Sequence, residues 1–129
     1  MSESCVMRWE GNCLVAELSG EVDHHMAAAL RRVLDDEIRT KAAAGTSVHL
    51  IFDFREVTFM DSSGIGVVLG RYQTISETGG KVWITGCDPY VKRILEMAGI
   101  FIIMTFCGSA EEALKECLGK ADEQWTRND

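Results

Sequence analysis

Ser47-Val-His-Leu-Ile-Phe-Asp-Phe-Arg-Glu-Val-Thr-Phe-Met-Asp-Ser-Ser-Gly64 passes from an apolar run into a helix start. Ser47 to Phe54 is almost continuously apolar, the pattern of a central strand covered on both faces. Arg55 to Met60 leads out of it. Asp61-Ser62-Ser63 then supplies residue types that open helices. Ile65, Val68, Leu69, Tyr72 and Ile75 follow at helical spacing and predict the core face of that helix, which Gly79-Gly80 stops. A covered strand feeding a helix is half of a βαβ unit, so parallel pairing to a later strand is expected.

The flanking segments extend the same alternation. Residues 5–9 and 13–19 predict a hairpin turning at Gly11-Asn12, with Cys5 opposite Leu18. Gly20 to Asp23 is a loop, and Asp23 is the expected N-cap of a helix running to about Ala44. Met26, Leu30, Val33, Leu34 and Ile38 form its apolar face, and Gly45 ends it. Lys81 to Thr85 is the next strand. Asp88-Pro89 opens a short helix with the stripe Val91, Ile94, Leu95 and Ala98, closed by Gly99. Phe101 to Phe106 predicts a last strand. Ser109 is the expected cap of a final helix carrying Ala110, Ala113, Leu114, Cys117 and Leu118. The tail over 119–129, polar after Asp122 except for Trp125, reads as a mobile, frayed end. The order ββαβαβαβα predicts an α/β protein with one domain over 1–129 and a core over about 5–118. Its central sheet is expected to be mixed and mostly parallel, with about five strands and about four helices.

Composition narrows the function. The chain has 129 residues and a formal net charge of −7. Nucleic-acid binding needs clustered Lys and Arg, and anionic membranes attract polybasic stretches; neither is present. Met1 to Glu10 carries Glu3, Arg8 and Glu10 and lacks the apolar run of a signal peptide. The longest apolar run, Ile100 to Met104, has the length of a core strand rather than of a membrane span. The five cysteines, Cys5, Cys13, Cys87, Cys107 and Cys117, form no CxxC pair. An odd number without that spacing argues against a disulfide framework or zinc site, and predicts free buried thiols in a cytoplasmic protein.

Two features carry candidate chemistry. On the Asp-Ser-Ser-Gly helix, Ser63, Gly66, Val67, Gly70, Arg71 and Thr74 oppose the expected core face. Two of these are glycines, each costing about 1 kcal/mol against alanine in a helix interior. Something must therefore approach closely, either another helix of the chain or a partner protein; spacing alone does not choose. Ser62 and Ser63 sit where backbone N–H groups point outward and the helix dipole favours negative charge. The plain reading of Asp61-Ser62-Ser63 is an ordinary helix cap, and the functional one is a phosphorylation switch at Ser62; the helix start alone leaves both open, with Ser63 the cap if Ser62 is the acceptor. Other patterns are weaker. Gly64-x-Gly66-x-x-x-Gly70 lies within the helical pattern rather than in a loop after a strand, unlike a dinucleotide fingerprint. A serine-hydrolase elbow around Ser62 would need glycine where Met60 stands. His24 and His25 are adjacent, so they point to different helix faces and chelate poorly. His49 is isolated in a strand. Asp35, Asp36 and Glu37 read as a solvated helix face, and no catalytic pair, metal or cofactor is implied.

Three stretches together carry a resemblance: Gly20-Glu-Val-Asp-His-His25, Phe59-Met-Asp-Ser-Ser-Gly-Ile-Gly-Val-Val-Leu-Gly-Arg-Tyr72 and Val91-Lys-Arg-Ile-Leu-Glu-Met-Ala-Gly-Ile-Phe101. They resemble the STAS domain of bacterial anti-sigma factor antagonists, most closely those of the sporulation sigma-F pathway. The resemblance spans about residues 5–118 and is densest over 57–106. It implies a STAS fold and a partner switch without enzymatic activity. The unmodified protein would bind an anti-sigma factor that is also a serine kinase, releasing the sigma factor. Phosphorylation would end that binding, and a PP2C-type phosphatase would restore it. The family's acceptor position falls on Ser62, and Asp23 falls on a position beside it. The implied partner surface comprises Asp23, His24, Asp61, Ser63, Gly64, Gly66, Val67, Gly70, Arg71 and Thr74. A monomer is implied when the protein is free. The alternative is a STAS sensor binding a nucleotide or small ligand at the same helix N-terminus.

Overall fold

The computed structural model describes the backbone of residues 4–128 and side chains through residue 119. In chain order the elements are β1 (Cys5–Glu10), β2 (Cys13–Val22), α1 (His24–Ala42), β3 (His49–Met60) and α2 (Ser62–Glu77). These are followed by β4 (Val82–Thr85), α3 (Pro89–Met97), α4 (Ile100–Ile103), β5 (Thr105–Cys107) and α5 (Ala110–Asn128). The five strands form one sheet in the order β1-β2-β3-β4-β5. The β1–β2 hairpin is antiparallel, with Cys5 opposite Leu18 as expected, and the other pairings are parallel.

Strand alternation divides the core. Leu14, Ala16, Leu50, Phe52, Val82 and Ile84 meet the apolar stripes of α1, α2 and α3 on one face. Cys13, Val15, Ile51 and Trp83 meet Ala113 and Cys117 of α5 on the other. Asp23 caps α1, accepting from the His25 and Met26 N–H groups, and Asp88 caps α3, accepting from Val91 N–H. Ser109 Oγ accepts from Glu112 N–H at the start of α5. Among the described residues no helix is long and apolar enough to cross a membrane.

Four departures from the sequence expectation matter most, besides the extension of β2 through the Gly20–Val22 segment expected as a loop. Among the described residues five helices form rather than four, because Ile100–Ile103 make a helical turn and only Thr105–Cys107 continue as strand. A short apolar run has no periodicity to separate strand from helix, and Gly99, at φ +77°, reverses the chain into a compact turn. Second, β3 continues through Arg55–Met60, which the charges at Arg55 and Glu56 conceal. Its outer half pairs with Ser19–Val22 across register shifts in β2, and only Val57 and Met60 turn inward. Third, Cys13 and Cys117 form a disulfide with Cα atoms 6.5 Å apart. Their separation of 104 residues has no local signature; the bond arises because Cys13 faces α5 and Cys117 lies one turn beyond Ala113 on its inner stripe. The remaining cysteines are free. Burial pushes the Cys5 thiol up to about 11 and the Cys87 thiol up to about 12, which keeps both protonated and unreactive at neutral pH. The fourth departure, on α2, belongs to the site described below. The side chain of Trp125 lies outside the described residues.

His49 is fully buried, and its Nδ1 accepts the Lys81 N–H at 3.0 Å. Burial first, and the Lys81 charge second, lower its pKa. A neutral ring is therefore favoured in the fold, whereas the unfolded residue titrates near 6.5. Below that value the unfolded chain binds the extra proton, so this contribution is complete above about pH 6.5 and is lost as pH falls toward the folded pKa. We expect acid destabilisation to be steeper for the native chain than for His49→Asn, by at most about 1.4 kcal/mol per pH unit. Chemical denaturation at stepped pH between 5 and 7 measures this; parallel curves for the two proteins would remove His49 as the cause.

Candidate functional site

Parallel pairing places Val22 opposite Met60, so β2 and β3 end side by side. Each is followed at once by an aspartate and a helix. Asp23 and Asp61 are thus adjacent N-caps at the carboxyl ends of these two strands, and Asp61 N–H lies 3.4 Å from Val22 O. Asp61 Oδ1 accepts from Ser63 N–H at 2.8 Å and from Gly64 N–H at 3.3 Å. The cap of α2 is therefore Asp61, not Ser63: the aspartate backbone is extended at φ −116°, while Ser62 and Ser63 already belong to the helix. The exposed Ser62 hydroxyl stands at the first helical position, beside a carboxylate rather than in an open nest of amides.

The face of α2 is rotated relative to the expectation. Gly64, Val67, Val68, Arg71 and Ile75 are buried, Ile65 and Tyr72 are partly covered, and Leu69 is exposed. Val67 and Arg71, expected on the partner surface, are withdrawn from it. On that side of α2, Arg71 Nε lies 2.8 Å from Asp35 Oδ1 of α1 in an ion pair. Burial lowers the Arg71 pKa, and Asp35 opposes the shift. A periodicity reading assigns arginine to solvent and leucine to the core, and here the buried pair reverses that assignment. Gly64 is also interior. A Cβ there would lie 2.5 Å from Val22 O and 2.7 Å from Met60 Cγ, so glycine lets the helix start sit on the strand ends.

What remains outside is a strip of Ser62, Gly66, Leu69 and Gln73 at helical spacing. Gly70, Ser63 and Thr74 flank it, half-buried, and Thr74 Oγ1 donates to Gly70 O. A Cβ at Gly66 or Gly70 would meet nothing within 4 Å. The two glycines therefore do not make room for another helix of this chain. Two further exposed aromatics, which the sequence reading did not select, stack on each other, one from the end of β3 and one from the start of α3. Phe59 and Tyr90 have ring centroids 6.3 Å apart. Their signal was available: both directly flank a capping sequence. His24 and His25 are exposed, with ring centroids 3.9 Å apart and the rings tilted by 38°.

Comparison with known proteins follows this geometry. The family model described as STAS domain matches residues 5–113. The anti-sigma F factor antagonist of Paenibacillus polymyxa is 38% identical over 103 residues, 80% of this chain and 85% of that protein. Among solved structures, the unphosphorylated form of the anti-sigma factor antagonist SpoIIAA superposes with a TM-score of 0.67 at 25% identity. That match covers 87% of this chain and 94% of the other. The phosphorylated Bacillus SpoIIAA superposes with a TM-score of 0.68 at 27% identity, covering 87% and 97%.

Proposed function

The chain belongs to the STAS domain family, and from that premise we propose that it is an anti-sigma factor antagonist working by partner switching. In its unmodified form it binds an anti-sigma factor carrying serine kinase activity, in the cytoplasm, and so releases a sigma factor. The kinase transfers the γ-phosphoryl group of ATP to Ser62: the Oγ–P bond forms, the bond to ADP breaks, and the hydroxyl proton passes to the kinase. A PP2C-type phosphatase hydrolyses the ester. The chain supplies no catalytic group; it presents the acceptor and the surface.

The observation that carries this reading is the exposed Ser62 hydroxyl at the head of an open, glycine-bearing strip, next to two capping carboxylates. It also disfavours a phosphate-binding sensor at the same place. The Ser63 and Gly64 amides that would cradle a phosphate already hold Asp61. The Cys13–Cys117 bond removes these two residues from the free-thiol argument for a cytoplasmic location. The test is incubation with the anti-sigma kinase and ATP, followed by intact and peptide mass spectrometry. One phosphate on Ser62, and none on Ser62→Ala, is expected. Full phosphorylation of Ser62→Ala at another residue would remove the site assignment.

A further inference from the structure

The two faces of the sheet carry separate cores, and the Ser62 surface belongs to one of them. The helices α1, α2 and α3 pack on the larger cluster, which holds Leu50, Phe52 and Ile84. On the opposite face α5 lies over a small cluster, with Val15, Ile51 and Trp83 meeting Ala113 and Cys117. The Cys13–Cys117 bond is the covalent part of that attachment. We propose that this bond is a reversible redox latch: its reduction by a dithiol releases α5 from the sheet and leaves the Ser62 surface folded.

The position of the bond points to this role. Cys13 is the first residue of β2, directly after the Gly11-Asn12 turn. Cys117 is the last buried residue of α5 among those described, and Leu118 and Gly119 beyond it are exposed. A Cβ at Gly119 would meet nothing within 4 Å, so no close contact calls for glycine there, and glycine weakens a helix interior. Both cysteines are fully buried, yet they lie at the margin of the cluster. Unwinding of α5 back from Gly119 opens a path to the sulfurs while the strands stay paired.

The remaining hold on α5 is slight. Trp83 Nε1 donates to Glu116 Oε1 at 3.2 Å, and the Cys107 thiol donates to Glu116 Oε2 at 3.4 Å. A cross-link between positions 104 residues apart removes much chain freedom, so its loss weighs heavily against so small a cluster. Cys107 belongs to the same cluster but is a poor attacking thiol. Burial, and then Glu116, push it up to about 11, which keeps it protonated at neutral pH. The electrons therefore come from outside. One thiolate of the dithiol attacks a sulfur of the bond, forming a mixed disulfide and releasing one cysteine. Its second thiol then closes the reductant's own disulfide and releases the other cysteine. Two electrons and two protons pass from the dithiol to Cys13 and Cys117. In the cytoplasm, where the proposed function places the chain, disulfides are rare and mostly transient or redox-sensing.

Incubation of the folded chain with dithiothreitol, without denaturant, tests the latch. Acid quenching, removal of the reductant and alkylation in denaturant then count thiols by intact mass, while amide hydrogen exchange follows each element. Three alkylated cysteines before reduction and five after it are expected. In the reduced chain, amides over 110–119 should exchange about a hundredfold faster, while those over 49–54 and 64–75 keep their protection. Glutathione disulfide should restore the slow exchange. Cys117→Ser should behave as the reduced chain does, and Cys107→Ser, which leaves the bond in place, as the native one. Five alkylated cysteines without reductant, or a bond that dithiothreitol leaves intact, would overturn the proposal. So would unchanged exchange over 110–119 after reduction, or loss of protection in all elements together. None of these readouts involves the kinase, so they are decided separately from the assignment of Ser62.

Discussion

Phosphorylation of Ser62 is expected to lower affinity for the anti-sigma factor by about a hundredfold or more while leaving the thermal midpoint of the free protein nearly unchanged. The two halves have different origins. A phosphate adds close to two negative charges at neutral pH. At an uncapped helix start the first-turn amides would stabilise it. Here the Ser63 and Gly64 amides already donate to Asp61. The neighbouring cap is Asp23, and neither aspartate has a cationic partner among the described residues. The dianion therefore stays in water, where the exposed Ser62 leaves it, and the fold is little affected. In a complex covering Ser62 that hydration must be removed beside two carboxylates, at a cost of several kcal/mol. Each 1.4 kcal/mol is about tenfold in affinity. Ser62→Asp carries one charge on a shorter arm, so a smaller loss of about tenfold is expected. Calorimetric titration of both forms against the partner measures this. Equal affinities would exclude a switch at Ser62, and a fall in thermal stability matching the affinity loss would mean unfolding rather than repulsion.

The elements that were readable in the sequence are those whose signals are local. Asp23 and Asp88 are caps because an aspartate precedes an apolar stripe, and the structure has both hydrogen bonds. The hairpin register follows from a turn confined to Gly11-Asn12. The readings that failed depend on partners distant in sequence. Nothing near Arg71 announces that it will be buried against Asp35 of α1. Nothing in Arg55-Glu56 announces that β2 will hold them in the sheet. The disulfide joins two residues that meet only once α5 lies across the strands. The candidate site divides in the same way. Ser62 and Gly66 were found from the motif, whereas the exclusion of Val67 and the exposure of Leu69 needed the packed helix.

The glycines of α2 give the second large effect, because the interior one and the two open ones should respond in opposite ways. Gly64→Ala forces a Cβ to within 2.5 Å of the Val22 carbonyl and 2.7 Å of Met60 Cγ. A backbone oxygen gives less readily than a side chain, so a loss of about 1–3 kcal/mol and a lower thermal midpoint are expected. Gly66→Ala meets nothing within 4 Å. In a helix interior alanine is favoured over glycine by about 1 kcal/mol, so the fold should gain stability; Gly70→Ala should behave alike. Retaining glycine at an open position that alanine would stabilise is explicable if something outside the chain must come close. Gly66→Leu is the decisive variant. Its side chain projects from the exposed strip, so the protein should remain folded, yet the partner can no longer reach the helix backbone. Blocking a central contact of this kind costs about 2–4 kcal/mol, a loss of about thirtyfold to a thousandfold in affinity. Thermal melts separate fold from surface, and titration against the anti-sigma factor reads the rest. If Gly66→Leu binds as tightly as the native chain, the partner does not touch this strip. Any effect of phosphate on Ser62 would then have to act through Asp23 at the start of α1, Phe59 at the end of β3 and Tyr90 at the start of α3.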